Sequence, residues 1–272
     1  LIIQGVKGVE KVDIFSYSFK IIGEFVNSAK LPWDRTLIII PTFNEIDNIE
    51  RMIDTIFSKY PEVSLLIIED GSPDGTADIV KSKMQENKQL HIIERSGKLG
   101  LGTAYITGFK WALENGFDFV FEMDCDFSHD PDAVKDLLAA AQTNDLVIGS
   151  RYIDGIRIIN WPFRRLLLSY CASIYTRFIT GIPVLDTTGG FKCFTRKALE
   201  SLNLNKIISS GYIFQLELNY KVWDNGLKVK EVPIIFYERR DGQSKMGGGI
   251  IFEALFNVLK LRVLKVFGRL NS

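Results

Sequence analysis

Two carboxylates one residue apart, Asp124 and Asp126, end the segment Phe121-Glu122-Met123-Asp124-Cys125-Asp126-Phe127-Ser128-His129-Asp130-Pro131. Hard oxygen donors at that spacing suit a hard divalent cation, Mg2+ or Mn2+, with the rest of its shell left to water and a diphosphate. The apolar run before them, Phe117 to Met123, predicts a buried strand, and helical periodicity at Ala133, Leu137 and Leu138 follows Pro131. The pair therefore falls at the carboxyl end of a strand, where open α/β sheets bind their ligands. An isolated Asp-x-Asp is more often a solvated turn before a helix, so the rest of the chain must decide.

The other strand ends decide it. Thr36–Ile40 is a β-branched run leading into Pro41-Thr42-Phe43-Asn44-Glu45, and Ser64–Ile68 leads into Glu69-Asp70-Gly71. Leu90–Glu94 precedes Gly97-Lys98-Leu99-Gly100-Leu101-Gly102, and Asp145–Gly149 precedes Ser150-Arg151-Tyr152. Helices lie between them. Asp47 with Glu50 predicts a capping box, and Ile46, Ile49, Ile53 and Ile56 one apolar face; later helices run to about Gln85 and through Ala112. This alternation predicts an α/β fold with a mostly parallel sheet and right-handed crossovers. Glu45, Glu69, Asp70, Asp124, Asp126 and Arg151 then gather at one sheet edge, as a nucleotide-plus-metal site requires.

Competing motifs fail. The turn at Gly100 and Gly102 lacks the third glycine of a dinucleotide fingerprint, since Tyr105 stands there, and it follows the third strand instead of the first. It reads as a tight turn that lets a helix pack closely. There is no P-loop, no His-rich metal cluster and no G-x-S-x-G elbow. His91 reads as structural, His129 as a turn hydrogen bond beside the metal site, and Cys125 as small core filler pointing away from its neighbouring aspartates.

The chain has 272 residues, 46% hydrophobic, with 33 basic and 33 acidic side chains. That supports one large α/β domain, or one domain with appendages, and gives no global signature of nucleic-acid binding. The charge is uneven: 19 acidic against 9 basic residues between Thr42 and Asp136, but 4 against 9 between Lys228 and Ser272. The first part suits a cation and the tail something anionic. Cys125, Cys171 and Cys193 have no metal spacing and imply a reducing compartment. No signal peptide is evident, and the longest charge-free runs, Leu99–Phe109 and Leu166–Thr176, are 11 residues. A membrane span needs about 20. Residues 1–34 read as an N-terminal extension of unassigned role, 35–247 as the main domain, and 248–272 as a C-terminal amphipathic helix.

Past Arg151 the chain turns basic. Asn160-Trp161-Pro162-Phe163-Arg164-Arg165 opens a long helix with Leu166, Ser169, Tyr170, Ser173 and Arg177 at helical spacing. Then come Asp186-Thr187-Thr188-Gly189-Gly190, Gly211-Tyr212-Ile213-Phe214-Gln215-Leu216-Glu217, a strand near Lys228–Val232, and Arg239-Arg240-Asp241-Gly242-Gln243-Ser244-Lys245-Met246. The last helix, Ile250 to about Leu270, carries Arg262, Lys265 and Arg269 on one side and either packs on the core or lies on a membrane surface.

With these motifs together, Thr36 to about Met246 resembles family 2 glycosyltransferases of the GT-A (Rossmann-like) fold, and more narrowly polyprenol (dolichol) phosphate mannose synthases. P-T-F-N-E and D-x-D are widely shared. E-D-G-S-P-D-G-T, G-S-R-Y, N-W-P-F-x-R, G-Y-x-F-Q-x-E and R-x-x-G-x-S-K-M are more specific in combination. The resemblance implies that Pro41, Phe43, Glu45, Glu69 and Asp70 hold the base and ribose of GDP-mannose. Asp124 and Asp126 would hold Mg2+ or Mn2+, with Cys125, Ser128 and Glu217 also on the sugar-nucleotide site. Arg151, Arg239 and Lys245 would contact phosphate groups and act in catalysis with Asp126. Arg165 and Ser169 would receive the phosphate of a polyprenol or dolichol acceptor. The resemblance further implies inverting transfer by a protein peripheral on the cytoplasmic face of a membrane, alone or with a membrane-anchoring subunit. Phe43 stands where Tyr is commoner, Glu69 where Asp is usual, and Ser128 where Gln is frequent.

Other readings are a polyprenol-phosphate glucosyltransferase, another family 2 enzyme, a dinucleotide-binding oxidoreductase, and a non-catalytic sugar-nucleotide sensor. The absent fingerprint argues against the oxidoreductase, and the complete acidic and basic set against the sensor.

Overall fold

The computed structural model describes residues 31–207, 209, 211–238, 248–268 and 270, with side chains omitted at 212 and 248–254. Nine strands occur among them: β1 (Thr36–Thr42), β2 (Ser64–Glu69), β3 (Leu90–Glu94), β4 (Phe119–Glu122), β5 (Leu146–Ser150), β6 (Ile158–Ile159), β7 (Lys192–Thr195), β8 (Val229–Pro233) and β9 (Phe236–Tyr237). The helices are α1 (Ile46–Lys59), α2 (Thr76–Glu86), α3 (Leu101–Glu114), α4 (Val134–Ala141), α5 (Phe163–Thr180), α6 (Arg196–Glu200), α7 (Gly211–Asp224) and α8 (Gly248–Val266).

Seven strands form one sheet in the order β3-β2-β1-β4-β7-β5-β8, and β6 pairs with β9 in a small parallel ribbon. The chain winds outward from β1 to β3, then returns across β1 to β4. That reversal opens a crevice between the carboxyl ends of β1 and β4, the place where a doubly wound sheet holds ligands. β1 and β2 are buried nearly throughout because their Leu and Ile residues meet helices on both faces. Strand β7 is the exception to parallel pairing, running antiparallel to both β4 and β5. The mostly parallel α/β sheet stands as expected; β7 within it does not follow from the β/α alternation.

Several local expectations are corrected. The Asp47–Glu50 capping box does not form. Glu45 is the N-cap of α1 and its side chain makes no cap bond. The loop before α2 does the capping: Ile46 N–H donates to Asp74 Oδ2 (3.1 Å) and Glu45 N–H to Thr76 Oγ1 (3.0 Å). Ile46 is exposed, and Met52 joins Ile49, Ile53 and Ile56 on the buried face. The α8 residues divide: Arg262 is exposed, while Lys265 turns inward to Asp224 (2.7 Å) and over Trp223 (4.3 Å). Arg269 lies outside the described residues, as do Arg239, Lys245 and residues 1–30. Helix α8 packs against α5 and α7, and Tyr175 Oη donates to the Leu255 carbonyl (3.2 Å). No described helix is long and apolar enough to cross a membrane.

Helix α3 approaches β1 closely at Gly108. A Cβ there would lie 2.8 Å from both Ile39 Cγ2 and Cδ1, and no rotation of the Cδ1 end relieves the Cγ2 contact. Gly108→Ala should therefore destabilise the protein by about 1–3 kcal/mol through overpacking, less the ~1 kcal/mol that alanine contributes to a helix. Ile39→Val keeps Cγ2 and removes only the Cδ1 half of the clash, so the double variant should recover part of the loss. Urea denaturation would check this; a Gly108→Ala variant more stable than the parent, by the full ~1 kcal/mol of helix propensity, would refute the close-approach argument.

Candidate active site

Strand β4 ends at Glu122, and the chain turns through Asp124, Cys125 and Asp126. Three contacts fix that turn. Tyr105, fully buried on α3, donates its hydroxyl to the Met123 carbonyl (3.3 Å). The residue that breaks the dinucleotide fingerprint thus holds the approach to the aspartates, and burial keeps its phenol protonated by raising its pKa well above the usual value. His129 Nδ1 accepts the Asp124 N–H (3.1 Å), which puts the imidazole proton on Nε2. Burial lowers the His129 pKa against the opposing pull of Asp124 and Asp126, so the ring is a neutral strut stacked on Phe191 at 5.0 Å. Asp126 Oδ1 accepts the Ser128 N–H (2.9 Å), closing the loop on itself. Phe127, at φ 59°, lies under the Arg51 guanidinium (4.3 Å).

Asp124 is partly exposed at the crevice, whereas Cys125 is buried. No group of three or more His, Cys, Asp or Glu side chains among the described residues forms a ready-made metal cage. A two-carboxylate, all-oxygen set fits a divalent cation that takes its other ligands from a diphosphate and water.

On the β1–β2 side, Phe43, Glu45 and Pro41 line the crevice rim, with Lys98 Nζ 4.4 Å above the Phe43 ring. Glu45 accepts from Asn48 Nδ2 (2.8 Å). Glu69 is turned into its own loop, accepting the N–H groups of Gly71 (2.9 Å) and Ser72 (2.7 Å). Gly71 needs its φ of 72° there, and a Cβ would lie 3.2 Å from Gly97 Cα. Asp70 is gripped bidentately by Arg95, Nε to Oδ1 at 2.6 Å and Nη2 to Oδ2 at 2.7 Å. Arg95 and Lys98 were missed in the sequence. Their signal was position alone, at the end of the strand next to β2.

A second constellation stands beyond β4. Asp186, fully buried, accepts the Arg151 N–H (2.9 Å), Nε (2.7 Å) and Nη2 (2.6 Å), and Nη2 also donates to Thr188 Oγ1 (3.0 Å). The Asp186 and Leu185 N–H groups donate to the Glu231 carboxylate on β8, each at 2.8 Å. Arg151 is thereby held among Tyr152, Trp161 and Phe236, 5.4–5.6 Å from each ring. Arg165 stacks on the same Trp161 ring, 4.0 Å from its centroid, and donates to Glu238. Ser169 accepts the Tyr152 hydroxyl (2.8 Å). Arg151 and Arg165 are therefore brought together on Trp161, and Ser169 joins Arg151 through Tyr152. Glu217 faces Lys221 (2.9 Å) and accepts the Ser209 N–H (3.0 Å).

Behind the aspartates, Glu122 and Lys192 are cross-strand partners, both fully buried, 3.9 Å apart. Burial pushes the Glu122 pKa up to about 7 against Lys192 and the Gln215 amide, and pushes Lys192 down to about 8 against Glu122. Lys192 Nζ also donates to the Gln215 carbonyl (3.0 Å) and to Gln215 Oε1.

Residues 37–202 match the family described as glycosyl transferase family 2. The chain is 43% identical over 229 residues to a polyprenol monophosphomannose synthase of Mycolicibacterium smegmatis, covering 84% of this chain and 86% of that one. It is 42% identical over 226 residues to an undecaprenyl-phosphate mannosyltransferase of Micrococcus luteus, covering 83% and 93%. Among solved structures it is similar to glucosyl-3-phosphoglycerate synthase of Mycobacterium tuberculosis in complex with Mn2+, uridine diphosphate and glucosyl-3-phosphoglycerate. That likeness has a TM-score of 0.59 at 20% identity, over 85% of this chain and 78% of the other, and bears on the fold.

Asp186→Asn should remove an acceptor and turn amide hydrogens toward a buried guanidinium. The expected cost is about 3–5 kcal/mol, as for breaking one side of a buried pair. Replacing both partners, Arg151→Met with Asp186→Leu, should be less destabilising than Asp186→Asn alone. Urea denaturation of the three proteins checks this, and a loss under about 1 kcal/mol for Asp186→Asn would show that the pair does not support the fold.

Proposed function

This chain belongs to glycosyl transferase family 2 and has the GT-A fold, and on that premise we propose that it transfers mannose from GDP-mannose to the phosphate of a polyprenol of dolichol or undecaprenol type. GDP is released and the anomeric centre is inverted. The observation that carries this reading is the placement of Asp124 and Asp126 at the β1–β4 crevice, in a chain more than 40% identical over most of its length to a protein named polyprenol monophosphomannose synthase and to one named undecaprenyl-phosphate mannosyltransferase.

In this reading Phe43, Pro41 and Glu45 border the base and ribose, and Asp70, fixed by Arg95, completes that wall. Asp124 and Asp126 hold Mg2+ or Mn2+ against the diphosphate, and when bound the cation stabilises the charge that gathers on the leaving oxygens. Cys125 and Ser128 shape the turn that carries the two aspartates, the first from the core and the second through its N–H. Arg151 acts as a positioning residue, since its guanidinium is held at Asp186 and orders Trp161. Arg165 and Ser169 receive the acceptor phosphate, while Arg239 and Lys245 supply further cationic contacts. Glu217, within α7, ties down the Ser209 N–H just ahead of the helix.

The acceptor brings its own nucleophile. A lipid monophosphate, with a second pKa of roughly 6, is largely dianionic at neutral pH. One of its oxygens forms the new bond to the anomeric carbon as the bond to the diphosphate breaks on the opposite face. No side chain need remove a proton. The enzyme works at the cytoplasmic surface of a membrane, by itself or beside an anchoring subunit.

A donor screen against membrane lipid extract should label the organic phase from GDP-mannose and not from UDP-glucose; the reverse result would overturn the donor assignment. Asp126→Asn should lower the rate by about 10²–10³-fold, in line with loss of other electrostatic stabilisers. Full activity of that variant, or of the parent in excess EDTA, would rule out the two-aspartate metal site. A short prenyl phosphate should accept mannose and the matching free prenol should not. Comparable glycosylation of the alcohol would show that the phosphate is not the nucleophile.

A further inference from the structure

The turn that carries the two aspartates holds a strained residue at its centre. Asp126 Oδ1 accepts the Ser128 N–H (2.9 Å), and Phe127 is the residue between them. Phe127 stands at φ 59°, in the left-handed region that a bulky side chain rarely adopts. Left to itself, such a residue would leave that region, and the Ser128 N–H would swing away from the carboxylate. The turn is therefore held from outside. On the side of the β6–β9 ribbon, Ser128 is buried and its carbonyl accepts the Tyr237 N–H (3.3 Å). On the side of α1, the Arg51 guanidinium lies 4.3 Å from the centroid of the Phe127 ring. The carboxylates near Arg51 on the same helix, Glu50 and Asp54, are drawn instead to Lys83 (3.1 and 2.9 Å). At its far end α1 reaches the chain beyond the turn: Lys59 Nζ donates to Asp132 (2.7 Å), and Tyr60 Oη donates to the Pro131 carbonyl (2.9 Å).

We propose that Arg51 is a positioning residue for the metal turn. By covering the Phe127 ring it keeps the backbone in the conformation in which the Ser128 N–H fixes the Asp126 carboxylate. It acts through Phe127 and not by ligating the ion, as the partners behind metal ligands do elsewhere. The same helix begins on the nucleotide wall, where Asp74 and Thr76, a few residues past Asp70, cap its first turn. One rigid element thus spans from the base side of the crevice to the aspartates and sets their separation. The sign of the effect identifies it. A positive charge beside the turn, acting through space alone, would repel a divalent cation, so its loss would tighten metal binding. Loss of a positioning contact would weaken it. The inference rests on the two-aspartate reading of the proposed function and adds to it a residue from outside the recognised motifs.

Mn2+ binding to the full chain in the presence of GDP can be read from the paramagnetic resonance signal of the free ion. Arg51→Ala should raise the Mn2+ dissociation constant about two- to fivefold, the equivalent of one cation–π contact at an exposed site. Arg51→Lys, which keeps the charge and loses the planar stack, should fall between that variant and the parent. Asparagine enters the left-handed region readily, so Arg51 should become dispensable once Phe127 is replaced by it. In the Phe127→Asn background, Arg51→Ala should change Mn2+ binding by less than about 1.5-fold, a non-additivity that a general loss of stability would not produce. Lys59→Met removes a different and exposed contact of α1 and should also leave binding within about 1.5-fold of the parent. Unchanged or tighter Mn2+ binding by Arg51→Ala would overturn the inference. So would an equal loss in Lys59→Met, or a full loss from Arg51→Ala in the Phe127→Asn background. A parent that binds no Mn2+ with GDP would overturn the two-aspartate reading and this inference with it. A parent that binds while Arg51→Ala matches it would count against Arg51 alone.

Discussion

A charge pair sealed inside the sheet governs the register of everything around it. Glu122 on β4 and Lys192 on β7 face each other across an antiparallel pair with no access to water. Their mutual attraction is offset by desolvation, so the pair adds little net stability over an apolar substitute. Its effect is selective. A shift of β7 by one residue would turn Lys192 to the other face of the sheet and leave Glu122 facing a hydrocarbon side chain. Only one alignment satisfies both groups, and that alignment sets where the aspartate turn leaves β4 and where the Asp186 loop enters β7. Gln215 extends the same selection to α7, because its amide completes the ammonium's hydrogen bonds.

The two halves of the site rest on different kinds of support. The β1–β2 side is held largely by backbone N–H groups closing on side chains, near in sequence in the Glu69 loop and from the next loop in the cap of α1, with one ion pair, Arg95 to Asp70. The side beyond β4 is held by long-range contacts between buried charged groups, the Arg151–Asp186 ion pair and the Asp186 N–H donating to Glu231. Local closures tolerate adjustment, since a polar group that loses one partner there can find water. Buried ionic contacts do not, and the aromatic platform of Trp161 and Phe236 inherits that rigidity through Arg151.

The difference also explains what could be read from the residues. β1 to β3 are uninterrupted apolar runs ending in polar clusters, so their positions and the crevice they border were visible from pattern. β7 was not. A lysine in its first position argues against a core strand until Glu122 is known to lie opposite, and short-range periodicity carries no record of a partner 70 residues away. Asp186 and Arg95 were hidden for the same reason: each acts through a charge that meets it only in the folded sheet. The cap of α1 was misassigned because Asp47 and Glu50 satisfy the local rule, while the groups that cap the helix come from the next loop. On α5 the spacing marked a helix and no more, because a period shows that a helix has two faces without showing which one meets the protein.

The antiparallel insertion of β7 has a consequence for how this chain is made. β4 and β5 are complete by residue 150, but they are not neighbours; the slot between them waits for residues 192–195. On a ribosome that adds about 5–20 residues each second, two apolar strand edges stand open for several seconds before the filler emerges. Such edges are templates for pairing with other chains. The last strand to enter this part of the sheet is thus the one that closes it against aggregation, and substitutions in β7 would be expected to reduce yield during synthesis even where the finished protein tolerates them.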